Sequence, residues 1–204
     1  MKKITIFLIL IITGCNKNDC SSNEKIRKIE TDKILETLLQ QKYIENYKDS
    51  YTFCISLRKL KINTESLYTD STKKIKTVKL PRIGPKILEN AEINIENILE
   101  VNLNREKFFN FNDSISFVEQ NNCFLEYTLP EKVSRKVKTI SVFQAEKDEN
   151  FIILSIPVFS EDNKKAYMKI DYYPKRYQYG TSIYLAKTDS VWKVKLSKNY
   201  YGTY

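Results

Sequence analysis

The chain has 204 residues, of which 42% are apolar and 29% are charged, and its formal net charge is +9. This composition is ordinary for a globular protein, and the length is enough for one domain with a substantial core, which excludes a chain that is disordered throughout. The absence of histidine excludes histidine bases, nucleophile-activating histidines and histidine metal ligands, and the four scattered glycines exclude the common phosphate-binding loops of nucleotide-dependent enzymes.

The N-terminal residues predict an export segment. Two lysines follow Met1, and an apolar run then continues to Ile12, which is far short of the roughly 20 residues that span a bilayer as a helix. The run closes with the tetrapeptide Ile12-Thr13-Gly14-Cys15. We therefore predict that residues 1–14 are a signal peptide that is removed from the mature chain.

The closing tetrapeptide resembles the lipobox of bacterial lipoproteins. That resemblance implies cleavage before Cys15 and acylation of its thiol and freed amine by fatty acids such as palmitate. Two or more acyl chains give stable attachment, so we expect the lipid bilayer to be a partner through acylated Cys15. Asn16 comes next, which resembles the Gram-negative pattern for transport to the outer membrane. The expected location is the cell envelope, at the outer membrane, facing the periplasm or the cell surface.

Residues 15–23 are polar and predict a flexible tether, and residues 24–204 predict a single α+β domain. Apolar residues recur at helical spacing from Glu24 to about Tyr47, which indicates a helix with a break near Thr31-Asp32. Residues 51–57 alternate in polarity, as in a half-buried strand.

The middle of the chain places a basic segment before an acidic helix. Residues 73–86 carry six basic side chains and no acidic one, so they fit either an anionic lipid surface or an edge strand whose lysines discourage pairing. After Pro85, apolar residues at helical spacing up to Leu99 predict a helix with glutamates beside its apolar face. The opposite charges of these two elements favour the edge strand, and we expect no nucleic-acid partner.

The second half predicts one helix and several short strands. Asn112 or Asp113 is expected to cap a helix after the aromatic cluster Phe108–Phe111. Brief turns separate the predicted strands, which cover Thr139–Phe143, Phe151–Phe159, Ala166–Tyr173, Ile183–Leu185 and Trp192–Leu196. Short strands with brief connections predict an antiparallel meander. The expected fold is therefore α+β, with N-terminal helices packed on an antiparallel sheet that ends in a C-terminal meander.

Three segments of this C-terminal third, Ile156–Ser160, Lys164–Tyr173 and Val191–Val194, carry a second resemblance. They are similar to uncharacterised bacterial envelope lipoproteins that have an apolar strand, a charged turn and aromatic-rich strands ending in Trp-Lys-Val. The resemblance covers less than half of the chain. It implies a sheet and brings no activity with it.

Three cysteines remain beside Cys15. Export places them in an oxidising compartment, where Cys54 and Cys123 are the candidate disulfide because Cys20 lies in the predicted tether. The alternative is that Cys54 and Cys123 are buried, reduced and act as small apolar residues. The sequence leaves both open, since connectivity cannot be deduced from it.

The candidate binding patch combines aromatic and basic side chains that are expected on the outward face or the turn of the meander. Such patches suit sugar rings, peptides and protein partners. The alternative is a solvated sheet face on which tyrosine only satisfies strand propensity, and this alternative is favoured. The patch consists of Tyr167, Tyr173, Lys175, Arg176, Tyr177, Tyr179 and Tyr184.

We predict no catalytic residues, no metal site and no cofactor. Asp171 is the acid of greatest interest, because it is expected mid-strand between Lys169 and Tyr173 on the outward face, but paired-carboxylate catalysis needs a second acid beside it. The hypothesis is a non-catalytic binding module on the envelope, with a protein or glycan partner. The alternative is an immunity or inhibitor-type lipoprotein that captures one protein. A pocket with converging polar groups would favour the first, and a long exposed apolar patch the second.

Overall fold

In the computed structural model of the chain, the described residues are 20–40, 49–64, 91–123, 126–145, 147, 150–173 and 178–202. Among them, the helices are α1 (Cys20–Gln40), α2 (Ile95–Leu99), α3 (Phe111–Asn122), α4 (Glu131–Ser134) and α5 (Val142–Ala145). The strands are β1 (Thr52–Cys54), β2 (Leu60–Asn63), β3 (Ala91–Asn94), β4 (Asn102–Leu103), β5 (Glu106–Lys107), β6 (Thr139–Ile140), β7 (Phe151–Leu154), β8 (Val158–Phe159), β9 (Lys165–Tyr173), β10 (Gln178–Thr188) and β11 (Val191–Gly202). The predicted α+β class is confirmed. None of these helices is both long and apolar enough to cross a membrane.

One large sheet holds most of these strands, in the order β11-β10-β9-β7-β1-β6, with β8 also paired to β9. Strands β9, β10 and β11 pair antiparallel in sequence order, whereas β1 pairs parallel with both β6 and β7. The sheet is therefore mixed, which corrects the expectation of a purely antiparallel one. Asp189 and Ser190 join β10 to β11, and both have positive φ, as a two-residue type I′ hairpin turn requires.

Strand β9 defines two faces of the sheet because side chains alternate along a strand. Ala166, Met168, Ile170 and Tyr172 point to what we call the α1 face, and Tyr167, Lys169, Asp171 and Tyr173 point to what we call the α3 face. The α1 face packs against the apolar residues Ile34, Leu35 and Leu38 of α1. On the α3 face, Tyr167 and Tyr184 pack with residues of α2, α3 and β2. Both faces are covered.

Helix α3 is fixed to the sheet by polar contacts at both ends. At its start, Asn110 and Asp113 cap the helix by accepting from each other's backbone N–H at 3.0 and 2.8 Å, and the Asp113 carboxylate also accepts from the Glu161 backbone N–H at 3.1 Å. At its end, Gln120 accepts from the Phe159 backbone N–H at 2.9 Å and donates to the Phe159 carbonyl at 2.7 Å. The contacts to Glu161 and Phe159 fix α3 against β8 and the turn that follows it.

Several predicted boundaries differ from the structure. Helix α1 begins at Cys20, inside the predicted tether, and runs through Thr31 without a break. Ala91–Asn94 is a strand instead of a helix because it pairs parallel with β2. Asn110, one position before the aromatic cluster ends, is the cap of α3, and Asp113 returns the contact. The predicted strand Thr139–Phe143 is a short strand followed by α5. The basic segment 73–86 and the turn around Pro174 lie outside the described residues.

Candidate functional site

The predicted surface patch is not a single exposed surface. Tyr167 and Tyr184 are buried, so the expectation that they lie on an outward, solvated face is wrong. The physical reason is the cover on the α3 face, since their rings lie 5.0 Å apart at the centroids and pack with Phe108 and Phe109. Burial raises the pKa of the Tyr184 phenol to about 12. Both tyrosines are core residues.

Tyr173 and Tyr179 of the same patch are half-buried and lie on opposite faces of the sheet. Tyr173 stacks on Phe151 with ring centroids 4.6 Å apart, and Tyr179 stacks on Tyr172 at 4.8 Å. These rings are held by intramolecular contacts and do not converge on one ligand. The other three members of the patch, Lys175, Arg176 and Tyr177, lie outside the described residues.

Asp171 is buried on the α3 face instead of exposed, which corrects the placement expected from the sequence. Its carboxylate forms an ion pair with Arg58 and accepts a hydrogen bond from the Tyr200 hydroxyl. Arg58 also donates to the Tyr173 hydroxyl at 2.9 Å. Burial, with a contribution from Arg58, lowers the pKa of the neighbouring Lys169 to about 8. We call Arg58, Lys169, Asp171, Tyr173 and Tyr200 the buried polar cluster.

The candidate disulfide between Cys54 and Cys123 is not formed. Cys54 is a free, buried thiol whose pKa is raised by burial, because it lies in the apolar cluster of α5 and β7. Cys123 is disulfide-bonded, and its partner is not among the side chains that the structure describes. The alternative interpretation of a buried, reduced cysteine therefore fits Cys54 alone.

A cavity of about 40 Å³ lies between α1, the start of β2, the end of α3 and the segment that contains β8. We call it the α1–α3 pocket. Four stretches that are distant in the sequence contribute its lining, which consists of Glu24, Arg27, Thr31, Lys59, Leu60, Gln120, Asn121, Cys123, Ile156, Pro157, Val158 and Phe159. The space exceeds the roughly 10–15 Å³ that a single water needs.

The walls of the pocket are rigidly held. Gln120 uses both ends of its amide to bind Phe159, as described for α3, and Asn121 accepts a hydrogen bond from the Ile62 backbone at 3.1 Å. Lys59 donates to the Cys123 carbonyl at 2.8 Å. The disulfide at Cys123 adds a covalent constraint at the same end of α3. These amides therefore hold the walls of the pocket, and their hydrogen bonds are used within the fold.

Two polar groups on α1 differ from these amides. Thr31 is 0% exposed, and its hydroxyl has no hydrogen-bond partner among the described residues. Nε of Arg27, one helical turn earlier, is also buried and unpaired within this part of the chain. Burial lowers the pKa of the Arg27 guanidinium, and the nearby Glu119 carboxylate partly offsets that effect. An unsatisfied buried donor costs about 1–3 kcal/mol, so both groups are unusual in a folded protein.

Sequence reasoning missed this site. The only signal was that Thr31 and Asp32 interrupt the apolar pattern of α1, which was interpreted as a break in the helix. Chemically, the pocket offers an apolar floor and N–H and O–H donors on one wall, which suits recognition of a small acceptor group. In the part of the chain that the structure describes, no group of three or more Cys, His, Asp or Glu residues is arranged to hold a metal ion.

Comparison of the chain with protein-family models, with curated proteins and with solved structures finds no match.

Proposed function

We propose that this protein is a membrane-anchored envelope lipoprotein that acts as a non-catalytic binding module. The N-terminal segment carries the anchor, through acylation of Cys15, and the α+β domain carries the binding site. We also propose two roles for the N-terminal helix α1. It covers the C-terminal antiparallel meander, and it forms one wall of the binding site. No chemistry is assigned to the domain.

The observation that carries the proposal is the α1–α3 pocket. It is a small, partly open space that combines apolar walls with a few polar groups, as small-molecule sites do. Proteins rarely leave a fully buried hydroxyl unpaired, and a bound ligand is one way of satisfying the Thr31 hydroxyl. The buried polar cluster supports binding less well: Nε of Arg58 also lacks a partner among the described residues, but Asp171 is paired with Arg58 and Tyr200 within the fold, and no cavity is described beside the cluster.

Native mass spectrometry of the full chain, extracted from its own membranes in detergent, tests the proposal. We expect a small molecule to be retained by the native protein and lost in a Thr31→Val variant. Thr181→Val is the matched control, because Thr181 is a half-buried residue of β10, away from the pocket, whose hydroxyl donates to Asn199. Equal retention by both variants, or no retained molecule in any of them, contradicts a binding role for the pocket.

The anchor is tested separately by Cys15→Ser. We expect this variant to leave the membrane fraction, since acylation requires the thiol. The measurement is the distribution of the protein between membrane and soluble fractions after cell lysis. A Cys15→Ser protein that still sediments with membranes contradicts the anchor.

The alternative, an immunity or inhibitor-type lipoprotein that captures a protein, has one observation in its favour. Phe111 and Ile115 lie one turn apart on α3 and are 70% and 55% exposed. An exposed apolar pair of this kind suits a protein contact better than a small ligand. A Phe111→Ser/Ile115→Ser variant that loses a co-purifying protein while keeping its small molecule would favour this second function.

A further inference from the structure

We propose that the α1–α3 pocket binds an apolar carboxylate, either a free short-chain acid or the C-terminal carboxylate of a peptide with an apolar last residue. This inference rests on the proposed binding function and names its ligand class. The anionic group would contact Thr31 and Arg27, and the apolar part would lie against Leu60 and Val158.

The polar side of the pocket, formed by α1, favours a ligand with hydrogen-bond acceptors. The Thr31 hydroxyl and the Nε–H of Arg27 are both donors, and both lack a partner within the described residues. A guanidinium always carries its charge and presents its N–H groups in a planar fork that matches the two oxygens of a carboxylate. Lys59 adds a second positive charge to the lining. An amine ligand would meet the cations Arg27 and Lys59 and an unmatched donor, with the single carboxylate of Glu24 at the rim as its only opposite charge in the lining.

The apolar side of the pocket favours a ligand whose remaining atoms are apolar. Leu60, Val158 and Phe159 are buried, and Ile156 and Pro157 complete the same side of the pocket. A cavity of about 40 Å³ holds only the carboxylate and the first carbons of a ligand, so the rest of a short branched chain would lie at the open side of the pocket. The remainder of a peptide ligand would extend past Glu24 at the exposed rim.

The unpaired, buried hydroxyl of Thr31 lowers the stability of the fold, and a purely structural role for Thr31 does not explain why it is there. Valine in place of threonine would keep the shape of the side chain and remove the unpaired hydroxyl. For a structural residue, that change is neutral or stabilising. Retaining the hydroxyl in a buried wall is typical of a site in which binding requires the group.

The experiment is a titration followed by backbone amide chemical shifts, with the full chain in detergent micelles. The probes are isovalerate, its neutral analogue isovaleramide and its cationic analogue isoamylamine, and acetyl-Gly-Leu is compared with its C-terminal amide. We expect isovalerate or acetyl-Gly-Leu to shift the amides of Thr31 and Phe159 at concentrations at which the amide and amine do not. Whichever of isovalerate and acetyl-Gly-Leu binds more tightly shows whether the ligand is a free acid or a peptide C-terminus.

Three variants test the polar wall. Thr31→Val and Arg27→Gln are each expected to weaken carboxylate binding by about tenfold or more, since each removes a hydrogen bond to a charged group. Thr31→Val should leave the unfolding midpoint unchanged or raise it. Glu24→Gln should strengthen binding by up to about fivefold, because it removes a like charge from the rim. Arg135→Gln, at the exposed residue that follows α4, is the control and should have no effect.

The outcomes separate the ligand class from the binding function. Equal binding of isovalerate and isovaleramide at the pocket, or tighter binding after Arg27→Gln, contradicts a carboxylate ligand. The proposed binding function of the pocket would still stand. The absence of any shift at Thr31 with all five probes, together with ordered water filling the pocket in a crystal structure, overturns both. Carboxylate binding that Thr31→Val and Arg27→Gln leave unchanged also overturns the inference, since it places the ligand elsewhere.

Discussion

The two faces of the large sheet are both buried, but they are stabilised in different ways. On the α1 face, aliphatic side chains such as Ile170 and Leu185 pack directly against α1, and the charged Glu30 lies at the margin of the cluster. On the α3 face, an aromatic cluster at one end and the α5 cluster at the other are separated by the buried polar cluster. Strand alternation alone gives no sign of this difference.

The comparison shows that burial does not require an apolar surface. An ion pair can be buried when its groups are paired and hydrogen-bonded, but it contributes little net stability, because its attraction is spent on desolvation. The buried polar cluster of the α3 face should therefore tolerate complete apolar replacement and should not tolerate partial replacement.

The largest effect is expected for Arg58→Met, which leaves the Asp171 carboxylate buried without its cation. We expect the free energy of unfolding to fall by about 3–5 kcal/mol, measured by urea denaturation. The double variant Arg58→Met/Asp171→Leu should recover most of that loss, because no uncompensated charge remains.

Leu185→Ala on the α1 face is the contrasting control. Its loss of about 2–5 kcal/mol comes from a cavity, so a second substitution of a neighbour should add to the loss and not reverse it. A double variant at Arg58 and Asp171 that is less stable than Arg58→Met alone would mean that the two faces do not differ as described.

A smaller effect is expected for Gly180→Ala, on the α3 face of β10. A methyl group there would overlap the Tyr200 ring and approach Oδ1 of Asp171. We expect the free energy of unfolding to fall by about 1–3 kcal/mol, as is typical of overpacking. Combining it with Tyr200→Ala should remove the extra cost of the methyl group. Thermal unfolding of the two single variants and the double variant measures the coupling, and simple additivity would contradict the close approach.

Because of Lys169, the free energy of unfolding should rise with pH in mild alkali. Burial lowers its pKa to about 8 from an ordinary value of 10.5, so between these two values the unfolded chain binds more protons than the folded one. Stability should therefore rise from pH 8 towards about pH 10, where the tyrosines begin to ionise. Lys169→Met should lack this rise in a series of urea titrations, and parallel curves for the two proteins would contradict it.

Glu30 should have the opposite effect, in acid, at the α1 face. Burial alone would raise its pKa, but hydrogen bonds from Lys33, Lys187 and Trp192 outweigh burial and lower the pKa below its ordinary value of 4.5. Its stabilising contribution is complete above pH 4.5 and is lost as the pH falls through the lower, folded-state pKa. Glu30→Gln should therefore be less stable than the native protein at neutral pH, and the difference should shrink in acid. A difference that stays constant down to the acid transition would argue against this role.

Local patterns in the sequence predicted the meander well. The period-two alternation of β9 and the turn residues around Asp189 are local signals, and the structure has strands and a turn there. The α+β class follows from the same patterns together with the helical spacing of α1. Boundaries were less reliable, as shown by Ala91–Asn94, where apolar spacing fits a helix but parallel pairing with β2 decides the conformation.

The cover of the α3 face and the α1–α3 pocket could not be predicted in this way. Alternation shows that Tyr167 and Asp171 share a face, but the elements that bury that face come from distant parts of the chain. The pocket also combines distant parts of the chain, because its donors lie on α1 and its apolar side includes residues next to β8. Such sites are formed by tertiary packing, and no local periodicity records them.

Trp192 gives the protein a built-in optical probe. It is the only tryptophan in the chain, it is 1% exposed, and its indole N–H donates to Glu30 of α1 at 2.8 Å. Its fluorescence therefore reports the docking of α1 on the sheet without any label. Since α1 also carries Thr31 and Arg27, ligand addition and changes of pH can be followed through the emission of this one residue.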